Sequence, residues 1–303
     1  STICIKDGRN NFLDIRNLMN VLRAVSENGI IAIGMTIILI LGDIDLSVGS
    51  VVGLISTGCA YLMVKSGLGF VPAILVSLGI GALFGLFNGL CITKLRLQAF
   101  IVTLASMNIA RGLARFWANG IGIPLAYGKG EGMAPPAFEV LQMRLWGIVP
   151  VPAIIFIVLL IVFQIILSKT RFGRQVYAIG GNEQSALMMG LNVKRTKMAA
   201  YLLDGFLAGL GGFLFCMNSC AGFVEQAKGL EMDAISAAVI GGTLLSGGVG
   251  TPFGTLFGVL IKGTISSLIT TQGTLSSWWV RIVLSALLCF FIVLQSVFAS
   301  LKK

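Results

Sequence analysis

"GMTIILILGDIDLSVGSVVGL", residues 34–54, sets two carboxylates, Asp43 and Asp45, between apolar runs that suit lipid better than water. An uncharged run from Gly29 to Gly42 ends just before them, and another apolar run follows. A backbone that turns in such surroundings has no water for its amides, so the turn must supply its own partners. Asp45 or Ser47 can cap the helix that follows, whose unpaired amides and positive end favour an oxygen or a carboxylate. Gly42 and Gly49 permit a tight bend and close approach. The stretch reads as a hinge-like corner on a pathway, made by Asp43, Asp45, Ser47 and Gly49. Carboxylates inside a membrane are functional suspects, so ion coupling through Asp43 and Asp45 stands as the alternative.

The rest of the chain is of the same character. Of 303 residues, 56% are hydrophobic and 11% charged, with mean hydropathy +0.94. A soluble domain carries about 25% charged residues. The expected class is an all-α, polytopic transmembrane helical bundle forming one domain over 1–303, with broken or re-entrant segments. Apolar runs at 25–41, 48–64, 70–93, 98–118, 149–167, 198–219, 232–248, 252–271 and 279–299 give about nine spans. The seventh is short and rich in glycine, so it reads as broken. Ahead of them, in 1–24, residues 11–24 place Phe12, Ile15, Leu18, Met19 and Leu22 on one face and Asp14, Arg16 and Arg23 elsewhere. That is the pattern of a helix lying at the membrane interface.

Composition also excludes chemistry. There is no histidine, which removes imidazole acid–base catalysis, histidine-ligated metals and Ser-His-Asp triads. The six cysteines (Cys4, Cys59, Cys91, Cys216, Cys220, Cys289) fit no zinc or redox spacing and read as small packing residues. No catalytic residue, metal site or cofactor is expected. The net charge of +10 lies between the apolar runs, where it reads as membrane orientation rather than nucleic-acid binding.

The segment 168–197 carries Lys169, Arg171, Arg174, Lys194, Arg195 and Lys197 at its two ends and is cytoplasmic by the positive-inside rule. Alternation then puts Lys94, Arg96, Lys302 and Lys303 inside, and 119–148, with Glu131 and Glu139, outside. Nine spans leave the N-terminus outside although no signal peptide is visible, so a further apolar helix is expected ahead of Ser1. Small residues mark helix contacts: Gly81, Gly85 and Gly89 recur every four, as do Gly250, Gly254 and Gly258, and Gly205 pairs with Gly209. "IGALFGLFNGLCITK" (80–94) weakly echoes "PFGTLFGVLIKGTIS" (252–266) in the opposite sense, a hint of inverted repeats.

No phosphate-binding G-x-x-x-x-G-K-[ST] is present; "GKGEG" (128–132) places Gly after its Lys. The chain does not hydrolyse ATP by itself. Within the cytoplasmic segment, "GGNEQSALMMGLNV" (180–193) reads as a short helix, with Asn182 as cap, Glu183 in the first turn and Gly190 as the stop. Ala186, Leu187 and Met189 would offer a small apolar surface for another protein's groove; resting on lipid headgroups is the competing reading. Gly180, Gly181, Asn182, Glu183, Ala186 and Gly190 are the candidate coupling residues. "EMDAISAAVIGGTLLSGGVGTPFG" (231–254) places Glu231 and Asp233 at its outer end and loosens at Gly241, Gly242, Gly247, Gly248 and Gly250, the pattern of a broken segment beside a pathway. Asn88, Asn108 and Thr243 are candidate polar residues of the pore.

Three stretches in order, residues 34–54, "TRFGRQVYAIGGNEQSALMMGLNV" (170–193) and "MDAISAAVIGGTLLSGGVGTPFGTLFG" (232–258), resemble the ribose-type permease family of bacterial ATP-binding-cassette sugar importers. The likeness runs over essentially the whole chain. "GTLFGVLIKG" (254–263) and "GTLSSWWVRI" (273–282) further resemble the galactofuranose-importer permeases of that family. The resemblance implies about ten helices in the bacterial inner membrane and a second permease subunit, more in keeping with a heterodimer than a homodimer. It also implies a cytoplasmic ATPase docked on a coupling helix within 180–190, and a periplasmic sugar-binding protein. The function implied is monosaccharide import by alternating access.

Overall fold

Among the described residues six helices are both long and apolar enough to cross a membrane, and they set the architecture: Asn17–Ile40, Val48–Ser66, Phe70–Thr93, Val151–Lys169, Val193–Ser219 and Pro252–Ile269. A computed structural model describes residues 5–6, 9–10, 15–126, 133–135, 138, 141, 143–145, 148–272 and 277–301. Among these the α-helices are α1 (Ile15–Ile40), α2 (Val48–Ser66), α3 (Phe70–Thr93), α4 (Ala99–Ala118), α5 (Val151–Lys169) and α6 (Arg171–Gly181). They continue with α7 (Glu183–Met188), α8 (Val193–Ser219), α9 (Leu230–Ile240), α10 (Pro252–Gln272) and α11 (Ser277–Leu301). Phe12, Asp14, Cys4, Glu131, Glu139, Lys302 and Lys303 lie outside the described residues.

Of the nine spans expected, the described helices confirm six by length and apolarity, and three regions fall short of that confirmation. α4 is long enough, but Asn108, Arg111 and Arg115 lower its apolarity. α9 has 11 residues, about 16 Å of helix against a hydrocarbon layer of about 30 Å. In α11 the apolar described stretch is Trp279–Gln295. The amphipathic stretch runs on from Ile15 without a break into the first span, so the two form one helix of 26 residues.

The core sits on α1, α2 and α8, whose spans are mostly buried, while α3, α5 and α10 turn most of their apolar surface outward. α8 packs along α1, α2 and α3. The α3–α8 contact is a seam of glycines: Gly81 and Gly85 face Gly205 and Gly209. A methyl group added to Gly81, Gly85 or Gly205 would strike the opposite backbone. In lipid the gain from packing comes from such close approach rather than from water exclusion. The Gly254 and Gly258 pair does the same for α10, against Gly241 and Ala237 at the end of α9.

The outer end is closed by short elements. Ile123–Pro124 pairs antiparallel with Ala221–Gly222. Arg115 on α4 donates to Glu225 at 2.7 Å, and Lys228 also pairs with Glu225. Hydrogen bonds from Lys228 and Arg115 hold the exposed Glu225 carboxyl below the usual Glu range. This strap is therefore charged at neutral pH, and its contribution is lost as pH falls below the ordinary carboxylate range.

The seam gives a direct comparison. Gly85→Leu drives a side chain into the α8 backbone and should destabilise by about 1–3 kcal/mol or more. Gly79→Leu, on the same helix with open space around it, should leave stability unchanged. Thermal unfolding of the detergent-purified variants reads the difference.

Candidate functional site

Between α1 and α2 the chain stays non-helical over 43–45 and climbs back into the bundle. Asp45 Oδ1 accepts from the Ser47 backbone N–H at 2.7 Å and from the Ser47 hydroxyl at 2.6 Å. Asn88 on α3 donates its amide to Ser47 Oγ at 2.9 Å and to Asp45 Oδ2 at 3.3 Å. The Asp204 carboxyl of α8 lies beside Asp45. From Lys197 to Asp204 is about 10 Å along α8, so the corner reaches well inside the bundle before α2 begins. Asp45 and Asn88 are both buried. Asp45 holds the backbone one step outside the helix, at Ser47 N–H, and Ser47 makes no side-chain cap bond to α2.

Asp43 faces the other way. Lys197 Nζ lies 3.3 Å from Asp43 Oδ2 and 2.9 Å from Glu183 Oε2. One buried ammonium thus joins the corner, the start of α8 and the first residue of α7. The six residues of α7 are held at both ends. The Asn182 side chain accepts from Ser185 N–H at 2.8 Å. Gly190, at φ +77°, turns the chain left-handed as Gly190 N–H and Leu191 N–H reach back to Leu187 and Ala186 carbonyls. The surface α7 presents differs from the expected one. Ala186 is fully buried and faces inward, whereas Leu187, Met188 and Met189 are exposed, Met188 by 86%.

α6 and the glycine-rich loop after α9 meet the corner from the opposite side. Gly248 N–H donates to Ile40 C=O, the last of α1, at 2.8 Å. Gly180 lies against Ile40 C=O and Gly248 N, so closely that a Cβ there would overlap the carbonyl oxygen. Its neighbour Gly181 has open space. The Tyr177 hydroxyl donates to Gly250 C=O at 2.7 Å, and burial pushes its pKa up, which keeps it a donor. Residues 180–181, 40–42 and 247–250 form one junction at the inner end.

The second break is α9, a half-length helix. Its start meets the start of α2: Gly49 lies against Glu231 and the Ala227 carbonyl. Arg111 on α4 reaches Glu231 at 3.2 Å. Asp233 pairs with Lys262 of α10 at 2.8 Å. Past Gly241 and Gly242 the chain leaves the helix, and Gln295 of α11 donates to the carbonyls of Val239 and Thr243. Thr243 is buried at this turn.

Of the residues singled out from the sequence, Asp45, Ser47 and Asn88 are thus in direct contact, and Asp43 and Glu183 are joined through Lys197. Gly49 lies in the first turn of α2, two residues after Ser47, against Glu231 and the Ala227 carbonyl, while Asp233 pairs with Lys262. Asn108 stands apart: it is exposed and donates to Leu104 C=O of its own helix. The sequence reading passed over Lys197, Asp204, Arg111 and Lys262 as site residues, and noted Glu231 only at the outer end of the glycine-rich segment. Asp204 is the one charge in the apolar run 198–219, and Lys262 the one charge of α10, a signal that marks interior contacts.

Broken segments whose helix starts meet inside an apolar bundle are a feature of multi-pass transporters. The chain belongs to the family described as the branched-chain amino acid transport system / permease component, which matches residues 17–292. It is 40% identical over 289 residues to the inner membrane ABC transporter permease protein YjfF of Escherichia coli, covering 94% of this chain and 85% of that protein. It is 39% identical to the ribose import permease protein RbsC of Bacillus subtilis, over 88% of this chain and 80% of the relative. With the L-arabinose ABC transporter permease protein AraH of Azospirillum brasilense it shares 35% identity, over 84% and 72% of the two chains. No solved structure matches. The ion-coupled alternative is not favoured: these relatives are ABC permeases, and Asp43 and Asp45 are engaged by Lys197, Ser47 and Asn88.

The inner junction separates two adjacent glycines. Gly180→Ala should cost about 1–3 kcal/mol by overpacking and lower the yield of folded protein, while Gly181→Ala should behave as the parent. Detergent-extracted yield and thermal unfolding of the pair measure this.

Proposed function

We propose that the chain is the permease subunit of an ATP-driven importer of the bacterial inner membrane, moving a monosaccharide from periplasm to cytoplasm by alternating access. The observation that carries the reading is α7. A six-residue helix capped by Asn182, stopped at Gly190 and exposing Leu187, Met188 and Met189 has the form of a plug for a partner's groove. The partner is a cytoplasmic ATPase, a reading supported by the ABC permeases among the relatives. Displacement of α7 pulls on Glu183 and, through Lys197, on Asp43 and the corner before α2. Asn182, Glu183, Ala186 and Gly190 hold α7 in shape; Gly180 and Gly181 join it to the inner junction. Asp43, Asp45, Ser47 and Gly49, with Asp233, Gly241, Gly242 and Thr243, are the hinges of the two broken segments.

Ribose and L-arabinose are named for the relatives, which supports a pentose or a related hexose as cargo. Residues 254–263 and 273–282 favour galactofuranose within that class, and with it a heterodimer with a second permease. A periplasmic sugar-binding protein delivers the sugar to the outer surface, including parts of 119–148 and 220–231. Tight binding belongs to that protein, because the permease must release what it receives.

Met188→Asp places a charge on the surface of α7 without touching its caps. Substrate-stimulated ATP hydrolysis and uptake by the reconstituted complex should both be lost, with membrane insertion unchanged. Full stimulation in that variant would remove α7 from the ATPase interface.

A further inference from the structure

Two carboxyl groups meet where the corner before α2 touches α8. Asp45 and Asp204 are exposed by only 3% and 1%, and their side chains lie within hydrogen-bond reach of each other. Gly34 of α1 closes in on Asp204, since a Cβ there would overlap Asp204 Oδ1. Two carboxylates in such contact, both ionised and both out of water, repel one another with no solvent to screen them. One of the two charges has to be neutralised. The nearest ammonium does not do it. Lys197 Nζ is held by Asp43 and Glu183, and Lys197 lies about 10 Å from Asp204 along α8. The Tyr201 hydroxyl, one turn from Asp204, lies toward Asp43. α3 brings the uncharged Asn88, whose amide donates to Ser47 and Asp45. Asp43, Glu183, Lys197 and Tyr201 are thus the titratable groups around the pair.

The donors divide unevenly between the two acids. Asp45 accepts from the Ser47 N–H, the Ser47 hydroxyl and the Asn88 amide. Both oxygens of Asp204 are buried, and among the described residues no donor reaches either of them. A carboxyl that accepts several hydrogen bonds favours its charged form; one that accepts none, and is buried, favours the neutral acid. Asp204 also lies within the candidate span Val193–Ser219, where an ionised side chain is expensive. An acid O–H on Asp204 satisfies both groups at once, because it gives Asp204 a partner and Asp45 one more donor.

We propose that Asp45 and Asp204 hold one proton between them, carried on Asp204 and donated to Asp45, and that this proton clasps the corner before α2 to the middle of α8. The pair then bears a single charge, placed on Asp45 and answered by the Ser47 and Asn88 donors. The clasp lies about 10 Å along α8 from the Lys197 pair and fixes the corner separately from α7. It does not depend on the importer reading.

The test compares the detergent-purified parent with Asp204→Asn and Asp204→Ser, each of which supplies a neutral donor at the same place. At neutral pH the parent-minus-variant infrared difference should contain the carbonyl stretch of a protonated carboxylic acid, a band that an ionised carboxylate lacks. Thermal unfolding against pH is the second readout. The folded parent keeps a proton that the unfolded chain releases, so the contribution of Asp204 is fully present below about pH 4 and falls as pH rises. Relative to Asp204→Asn, the parent's folded-to-unfolded ratio should drop by up to about tenfold per pH unit from about pH 5 upward. Asp43, Glu183, Lys197 and Tyr201 are common to both proteins. Absence of the acid band from the difference, or melting temperatures that run parallel with pH, would leave Asp204 ionised and overturn the inference. So would a loss of parent stability, not shared by Asp204→Asn, when choline replaces sodium and potassium, since a metal cation would then stand in the proton's place. Failure of both variants to fold would also overturn it, because the site would need a second negative charge rather than a donor.

Discussion

The structure depends on one constraint: a backbone that leaves its helix inside an apolar bundle must find every hydrogen-bond partner within the protein. The chain does this twice. Before α2, Asp45 takes the Ser47 amide and hydroxyl, and Asn88 secures both from α3. After α9, Gln295 donates to the Val239 and Thr243 carbonyls, and Gly248 N–H meets Ile40 C=O. The last of these bonds closes one break on the other, so the two corners share a single inner junction with Gly180 at its centre. Irregular segments tied together at one point suit a pathway that alternates between two arrangements.

Charge follows the same geometry. Lys197 links α7 to the corner before α2, Arg111 neutralises Glu231 where α2 and α9 meet, and Lys262 answers Asp233 in the first turn of α9. Each cation comes from a continuous helix, α8, α4 or α10, and each anion in contact with it lies at or near a break. Rigid helices therefore hold the charge that the irregular segments cannot solvate by themselves. A pair whose cation is largely buried costs desolvation and is weak evidence for stability. Its better-supported use is to fix one arrangement of the segments it joins.

Much of this was legible in the sequence, in proportion to how local the signal was. The glycines at 81, 85, 205 and 209 announced a close helix contact through spacing alone, and the structure sets them face to face. The cap at Asn182 and the stop at Gly190 were readable because capping is a matter of a few adjacent residues. The inward turn of Ala186 was not, since which side of a six-residue helix is covered depends on neighbours distant in sequence. The same limit applies to Asn88: its type suggested a pore lining, but only the fold brings it to Asp45 across 43 residues of chain. The span count is not confirmed where apolarity and length disagree. α4 is long but carries two arginines, and α9 is apolar but stops after 11 residues.

The central claim is that work delivered at α7 opens and closes this pathway. The most direct measurement is sugar uptake by proteoliposomes holding the permease pair and its ATPase, with the binding protein outside and either ATP inside or a proton gradient across the membrane. The account predicts uptake that requires internal ATP and the binding protein and is indifferent to the gradient. Uptake driven by the proton gradient without ATP would contradict it.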